Sequence, residues 1–202
     1  MTNAKLLIVA DDFTGALDTG VQLARQGIAV RIVMNADAHR EWTETDGEVL
    51  VAVTNSRHLP PADAYATVFR TVAEAKRAGI PYVYKKTDSA LRGNIGAELS
   101  AALLAGGADM LPFLPAYPRL GRITRDGRHY IGGVPLSDSV FGQDPLNPVS
   151  ESDICRLIAL QTSVPVRHAS VESLGVGCGI FVVDAERDED LERACERLSE
   201  LG

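Results

Sequence analysis

Cysteine is scarce in this chain. Cys155, Cys178 and Cys195 are its only three, far apart and without a Cys-x-x-Cys pair. Such an odd, dispersed set excludes a disulfide framework and a cysteine zinc site, and fits reduced thiols in a cytoplasmic protein. Positive charge is also in short supply: the net charge of −7 gives no global electrostatic support for a nucleic-acid partner. No apolar run is long enough to span a bilayer, and MTNAKLLIVADD turns acidic too soon for a secretory leader, so no membrane partner is expected. Neither GxGxxG nor GxxxxGK[ST] occurs. The one glycine cluster, Gly175 to Gly179, leads into an expected strand and reads as a turn, so no nucleotide loop is found. No metal-ligating set is expected either.

What the chain does have is a repeated order of strand, polar loop and helix. Leu6 to Ala10 is a continuous apolar run, as in a strand buried on both faces of a parallel sheet. Asp11-Asp12-Phe13-Thr14-Gly15 follows it, and then a helical stretch that stops at Gly27. Ala29 to Met34 and Val49 to Val53 read as strands, separated by a polar connector over His39 to Gly47 that holds Trp42. After Thr54-Asn55-Ser56-Arg57, Pro60-Pro61 starts a helix expected over Ala62 to Ala78, with Tyr65, Val68, Phe69, Val72 and Ala75 as its core stripe. A strand from Tyr82, a helix over Asn94 to Leu104 and a strand over Met110 to Leu114 complete the repetition. This order predicts an α/β fold: a doubly wound, mostly parallel sheet with helices on both faces and one ligand edge at the carboxyl ends of its strands.

The pattern breaks over residues 119–149, which are rich in Gly, Pro, Arg and Asp. Asp126-Gly127 between extended segments predicts a β-hairpin inside an otherwise irregular insertion, a lid in which Arg122, Arg125, Arg128 and His129 add positive charge. A helix over Glu151 to Leu160 capped by Ser150 or Ser152, strands over Val164 to Val166 and Gly179 to Val183, and a helix over Asp188 to Leu201 follow. The whole of 1–202 reads as one domain.

Chemistry gathers in two loops. Lys85, Lys86, Asp88, Ser89 and Arg92 lie between a strand and a helix N-terminus, a geometry that holds anions on free N–H groups, and Gly93 lets a ligand approach the backbone. Asp11 and Asp12 repel each other and so call for a cation or a hydroxyl-rich ligand nearby. The bland alternatives stand beside these: either aspartate, or Thr14, is also a suitable helix cap, and Lys and Arg at a strand end are often only solvated.

Several stretches taken together resemble the four-carbon acid sugar kinase family. They are Ala10 to Ala16, Thr54-Asn55-Ser56-Arg57, Lys85 to Ser89 with Leu91-Arg92-Gly93-Asn94, Pro115-Ala116-Tyr117-Pro118, Gly121-Arg122, His129-Tyr130, Gly133 to Leu136 and Asp144-Pro145. The resemblance implies an ATP- and Mg²⁺-dependent phosphotransferase acting on the terminal hydroxyl of threonate, erythronate or an oxo-tetronate. It implies two α/β domains, of which this sequence matches only the first. The small acidic sugar would bind here, and the nucleotide would bind a domain supplied in cis or in trans. A homo-oligomer is left open.

In that setting Arg92, with N–H groups near Gly93 and Asn94, suits the substrate carboxylate. Asp11 and Asp12 suit its hydroxyls, with Asp12 orienting the attacking one. Lys85 or Lys86 would neutralise transferred phosphate, since strand alternation lets only one of them face the cleft; Lys86, Asp88 and Ser89 complete the substrate-binding set. Two other functions compete: a non-catalytic acid-sugar-binding or regulatory domain, and a metal-dependent phosphatase. The phosphatase ranks last, because its aspartates would be spaced Asp-x-Asp and these are adjacent.

Overall fold

The most deeply buried strands form where apolar runs are long enough to be covered on both faces. In the computed structural model, residues 4–34, 47–175 and 177–201 are described. Trp42 and the connector expected around it, up to residue 46, lie outside the described residues. Two compact units divide the chain: the first runs to Asp88 and takes in Ala97–Gly107, and the second holds Ser89–Gly96 and everything from Ala108.

In the first unit, β1 (Leu6–Ala10), β2 (Val30–Val33), β3 (Val49–Val53) and β4 (Tyr82–Lys86) make a parallel sheet in the order β2-β3-β1-β4. Helix α1 (Phe13–Ala24) links β1 to β2, and α2 (Pro61–Arg77) links β3 to β4. The first connection passes β3 and the second passes β1, in opposite directions. Right-handed crossovers therefore place α1 and α2 on opposite faces, and every residue of β3 and all but the first of β1 are buried. This is the doubly wound arrangement expected. Because the loops after β1 and β3 leave toward opposite faces, these neighbouring strands form the switch point where such sheets bind ligands. The register sets Ala10 between Val53 and Lys86, so the three loops that follow start level with one another.

Helix α2 buries a stripe of small residues, Ala64, Val68, Thr71, Val72 and Ala75. Small side chains let the helix approach closely, and each fully buried valine contributes roughly 1.5–3 kcal/mol. The expected aromatic stripe is corrected here. Phe69 is exposed and Tyr65 half-buried, one position off the buried line, and their rings stack at 5.8 Å.

In the second unit, β5 (Met110–Phe113), β9 (Val166–Ala169) and β10 (Gly179–Val183) form a parallel sheet in the order β5-β10-β9. So β5, expected to extend the first sheet, pairs with a strand about seventy residues downstream instead. Nothing local in an apolar run names its partner. Helix α3 (Ile95–Gly106) starts in this unit. Helix α4 (Ile154–Ala159) is shorter than expected and capped by Asp153, which accepts from Arg156 N–H. Ser152 is not the cap; it is buried and bonds Ser137 instead. Helix α5 (Asp188–Leu201) has the expected bounds, with Ala194 fully buried.

The expected hairpin is present as β6 (Arg122–Arg125) and β7 (Arg128–Ile131), extended by β8 (Val134–Pro135). Asp126 at φ 50° and Gly127 at φ 71° give the doubly left-handed turn that matches strand twist. Asp184 at the end of β10 accepts from both turn N–H groups, at 2.8 and 3.0 Å. Thr124 exchanges backbone bonds with Ala185. The insertion is thus more ordered than the irregular segment expected, and its Thr124 and His129 are fully buried.

Candidate functional site

Strand ends and a tight turn assemble the first set of polar groups. Thr54, after β3, sends its hydroxyl to the carbonyl of Ala10 at 2.8 Å, tying the two strand ends together. Asn55 takes a left-handed φ of 49°, one of the few non-glycine types that tolerates it. The turned chain then lays Arg57 over the carboxylates that follow β1. Arg57 Nε donates to Asp11 Oδ2 at 2.6 Å, and Nη1 lies 2.7 Å from Asp12 Oδ2. Its Nη2 is 4.0 Å from Asp88 Oδ1, after β4.

Burial acts against the Arg57 charge, but the hydrogen bond to Asp11 and the charges of Asp11, Asp88 and Asp12 outweigh it and raise its pKa. Lys86 goes the other way. Burial lowers its pKa, Asp11, Asp88 and Asp12 only partly offset this, and Lys85 adds to the lowering. Lys86 Nζ donates to the carbonyl of Thr87 at 2.6 Å. Lys85 points elsewhere, as strand alternation requires: its Nζ makes a fully buried pair with Glu98 of α3 at 2.7 Å.

Asp11 and Asp12 are not equivalent. Asp12 is the cap of α1: its Oδ1 accepts from Gly15 N–H at 2.8 Å while Oδ2 meets Arg57. Both its oxygens are engaged. Asp11 is 2% exposed, and its Oδ1 is buried with no hydrogen-bond partner among the described residues. A carboxylate oxygen left so is costly and is an acceptor to which a hydroxyl can donate.

The second set lies in the other unit. Ser89, Arg92, Gly93 and Asn94 are joined there by residues that sequence reasoning valued less or missed. Arg92 Nη1 is 3.1 Å from Asp144 Oδ2, and its guanidinium carbon stands 5.2 Å from the Phe141 ring centroid. Arg122 bonds the Ser89 hydroxyl and stands 5.5 Å from the same ring. Buried His129 places Nε2 3.0 Å from the carbonyl of Ser89 and Nδ1 3.2 Å from the Thr124 hydroxyl. A carbonyl only accepts, so Nε2 carries the proton.

Gly93 adopts φ 87°, and Asn94 is buried just before α3. The open helix start expected as an anion cradle is partly filled. Gln161 accepts from Gly96 N–H at 2.8 Å and donates to the Gly93 carbonyl at 3.1 Å. Arg57 and Asp144 were legible only as members of motifs and Phe141 was not legible at all; the ion pairs join residues up to 52 apart in sequence.

Among the described residues, the glycines before β10 do not fit a cradle for a nucleoside triphosphate. The glycines before β10 are accounted for by packing: a Cβ on Gly179 would lie 2.2 Å from the Pro165 carbonyl, and one on Gly177 would lie 3.0 Å from Arg167. They lead into a strand, which has no ring of free N–H groups. Among the described residues no three His, Cys, Asp or Glu cluster as metal ligands, and no helix is long and apolar enough to cross a membrane.

The sequence profile of the sugar-binding N-terminal domain family matches residues 6–201. A D-threonate kinase from Salmonella typhimurium is 37% identical across 96% of this chain and 50% of its own length. A D-erythronate kinase from Heliobacterium modesticaldum is 34% identical across 94% of this chain and 47% of its own. Among solved structures, a domain of unknown function from Bordetella bronchiseptica, a domain-swapped dimer with bound citrate, superposes with a TM-score of 0.88. It is 36% identical and covers 98% of this chain and 51% of its own. The chain therefore spans about half the length of the curated relatives it matches.

Proposed function

The chain belongs to the sugar-binding N-terminal domain family, and from that premise we propose that it is the substrate-binding half of an ATP-dependent kinase for a four-carbon acid sugar. The observation that carries this is the buried, unpartnered Oδ1 of Asp11 at the switch point of the parallel sheet. Arg57 holds that carboxylate in place through its other oxygen, and a carboxylate oxygen accepts hydrogen bonds, so the buried Oδ1 suits a hydroxyl. Asp11 is thus the acceptor for a substrate hydroxyl. Asp12 has a lesser part than the one expected of it: it caps α1 and shares Arg57, and so positions Asp11 and its loop. Lys86, kept less basic by burial, is the cation proposed for transferred phosphate, beside Asp88.

In the second unit, Arg92, with Ser89, Gly93 and Asn94 shaping its surroundings, is the cationic group proposed for a small carboxylate. The names of the relatives, which act on threonate and erythronate, support this substrate class. Bound citrate in the Bordetella neighbour supports a small carboxylic acid as ligand, and its dimeric state supports a homo-oligomer. ATP and Mg²⁺ are assigned to a nucleotide-binding domain in cis or in trans. Such an enzyme would work in the cytoplasm. The test is a coupled assay of the purified chain with ATP, Mg²⁺ and each of the four-carbon acids. No substrate-dependent ADP and no saturable ATP binding below millimolar concentration are expected, a limit of about −4 kcal/mol. ADP formation by the chain alone would overturn the assignment to a half-enzyme.

A further inference from the structure

The anion subsite contains two guanidinium groups, and their charges are not equally satisfied. Arg92 is paired with Asp144 at 3.1 Å. Asp144 is itself fixed, since its Oδ1 accepts from Leu146 and Asn147 N–H at 3.0 and 2.8 Å. Those backbone bonds first, and Arg92 after them, hold its carboxyl below the usual carboxylate range. Asp144 is therefore a permanent counter-ion of Arg92. Arg122 is half-buried, and its contacts are the neutral hydroxyl of Ser89 and the face of Phe141. No carboxylate among the described residues pairs with it. The other arginines of the insertion differ: Arg119 pairs with Asp188, Arg125 with Glu186, and Arg128 is exposed.

Arg122 thus brings a half-buried positive charge to the Phe141 ring with no carboxylate paired to it among the described residues, a charge that an anion would complement. Arg122 is also held still. As the first residue of β6 it exchanges backbone hydrogen bonds with Tyr117, at 2.7 and 3.2 Å, and it pairs with Ile131 across the hairpin. Its side chain is pinned at one end by Ser89 and along its face by the ring. A charge pre-positioned in this way loses little freedom when a ligand arrives.

We propose that Arg122 is the residue that neutralises the carboxylate of the acid ligand, with Arg92, already paired, as its partner in orientation. This rests on the acid-sugar reading above and deepens it, because it makes Arg122 the residue that separates an acid from the corresponding uncharged polyol.

The test is calorimetric titration of wild type, Arg122→Lys and Arg122→Gln with D-threonate and D-erythronate, with thermal midpoints as a check on folding. Arg122→Gln should weaken acid binding by about 10- to 100-fold, as for loss of one member of a partly desolvated charge pair. Arg122→Lys should fall between, since it keeps the charge and loses the planar fork. Affinity in Arg122→Gln within about threefold of wild type would overturn the proposal while leaving the substrate class intact. Equal loss in both variants would also overturn it, by showing that ring packing and not charge matters. Wild type that binds neither acid would overturn the acid-sugar reading and this inference together. Should the variants fail to fold, a crystal structure of wild type with D-threonate decides: the carboxylate belongs within about 3.2 Å of the Arg122 guanidinium, and a carboxylate held elsewhere refutes it.

Discussion

Replacing Arg57 by methionine keeps most of the side-chain volume and removes the guanidinium that pairs directly with both aspartates after β1. Asp11 is 2% exposed, the Arg57 side chain 10%, and Arg57 Nε is the partner of Asp11 Oδ2. At an effective dielectric near 20, unit charges about 4 Å apart attract by roughly 4 kcal/mol. Breaking one side of a buried pair typically costs about 3–5 kcal/mol, because the surviving charge stays buried. Asp12 is 28% exposed, so its lost pair adds at most about 1 kcal/mol. A total of about 3–6 kcal/mol follows, which for a chain of this size lowers the thermal midpoint by roughly 6–24 °C. Urea denaturation of wild type, Arg57→Met, Asp11→Leu and the double variant measures the coupling directly. The double variant should be more stable than Arg57→Met, because it no longer buries a lone carboxylate. Arg57→Met within about 1 kcal/mol of wild type would refute the claim that this guanidinium holds the aspartate pair in place.

Three further outcomes are expected. Gly96→Ala puts a Cβ 2.4 Å from the Ile158 carbonyl, so urea denaturation should show a loss of about 1–3 kcal/mol from overpacking. Burial first, and then the charges of Asp153 and Asp184, push the Cys155 thiol up to about 11. At pH 8 only about one molecule in a thousand carries its thiolate, so iodoacetamide followed by mass mapping should label exposed Cys178 and Cys195 well before Cys155. Asp144 is held below the ordinary carboxylate pKa in the folded chain, so its ionised form stabilises the fold above the unfolded value of about 3.9, and that contribution is lost as pH falls through the folded value. Thermal melts should therefore show a gap between wild type and Asp144→Asn that is constant from pH 7 to about pH 4 and closes below it.

Much of the fold was legible because its signals are local. The runs Leu6 to Ala10, Val49 to Val53 and Gly179 to Val183 are apolar throughout and became buried strands with those bounds. Asp126-Gly127 specified its turn, since few other pairs accept two left-handed residues. The transfer of β5 to a second sheet was not legible, because pairing is decided by residues far along the chain. Ser152 looked like a cap for α4 and lost that place to Asp153, one residue on, where the helix starts. At the site, the loops were visible and their pairings were not. Asp11 and Asp12 look alike in sequence, and only the start of α1 at Phe13 makes one of them a cap and leaves the other an open acceptor. Phe141 lies in a segment with no periodicity, so nothing announced the ring shared by Arg92 and Arg122.

The measurement that bears most directly on the central claim is titration of the purified chain with a panel of D-threonate, D-erythronate, 3-oxo-tetronate and the neutral four-carbon polyols. Saturable one-to-one binding of at least one acid, with affinity better than about 1 mM, or −4.1 kcal/mol, and weaker than that for every polyol, is the predicted result. A chain that binds the polyols as well as the acids, or binds none of the panel, contradicts the account.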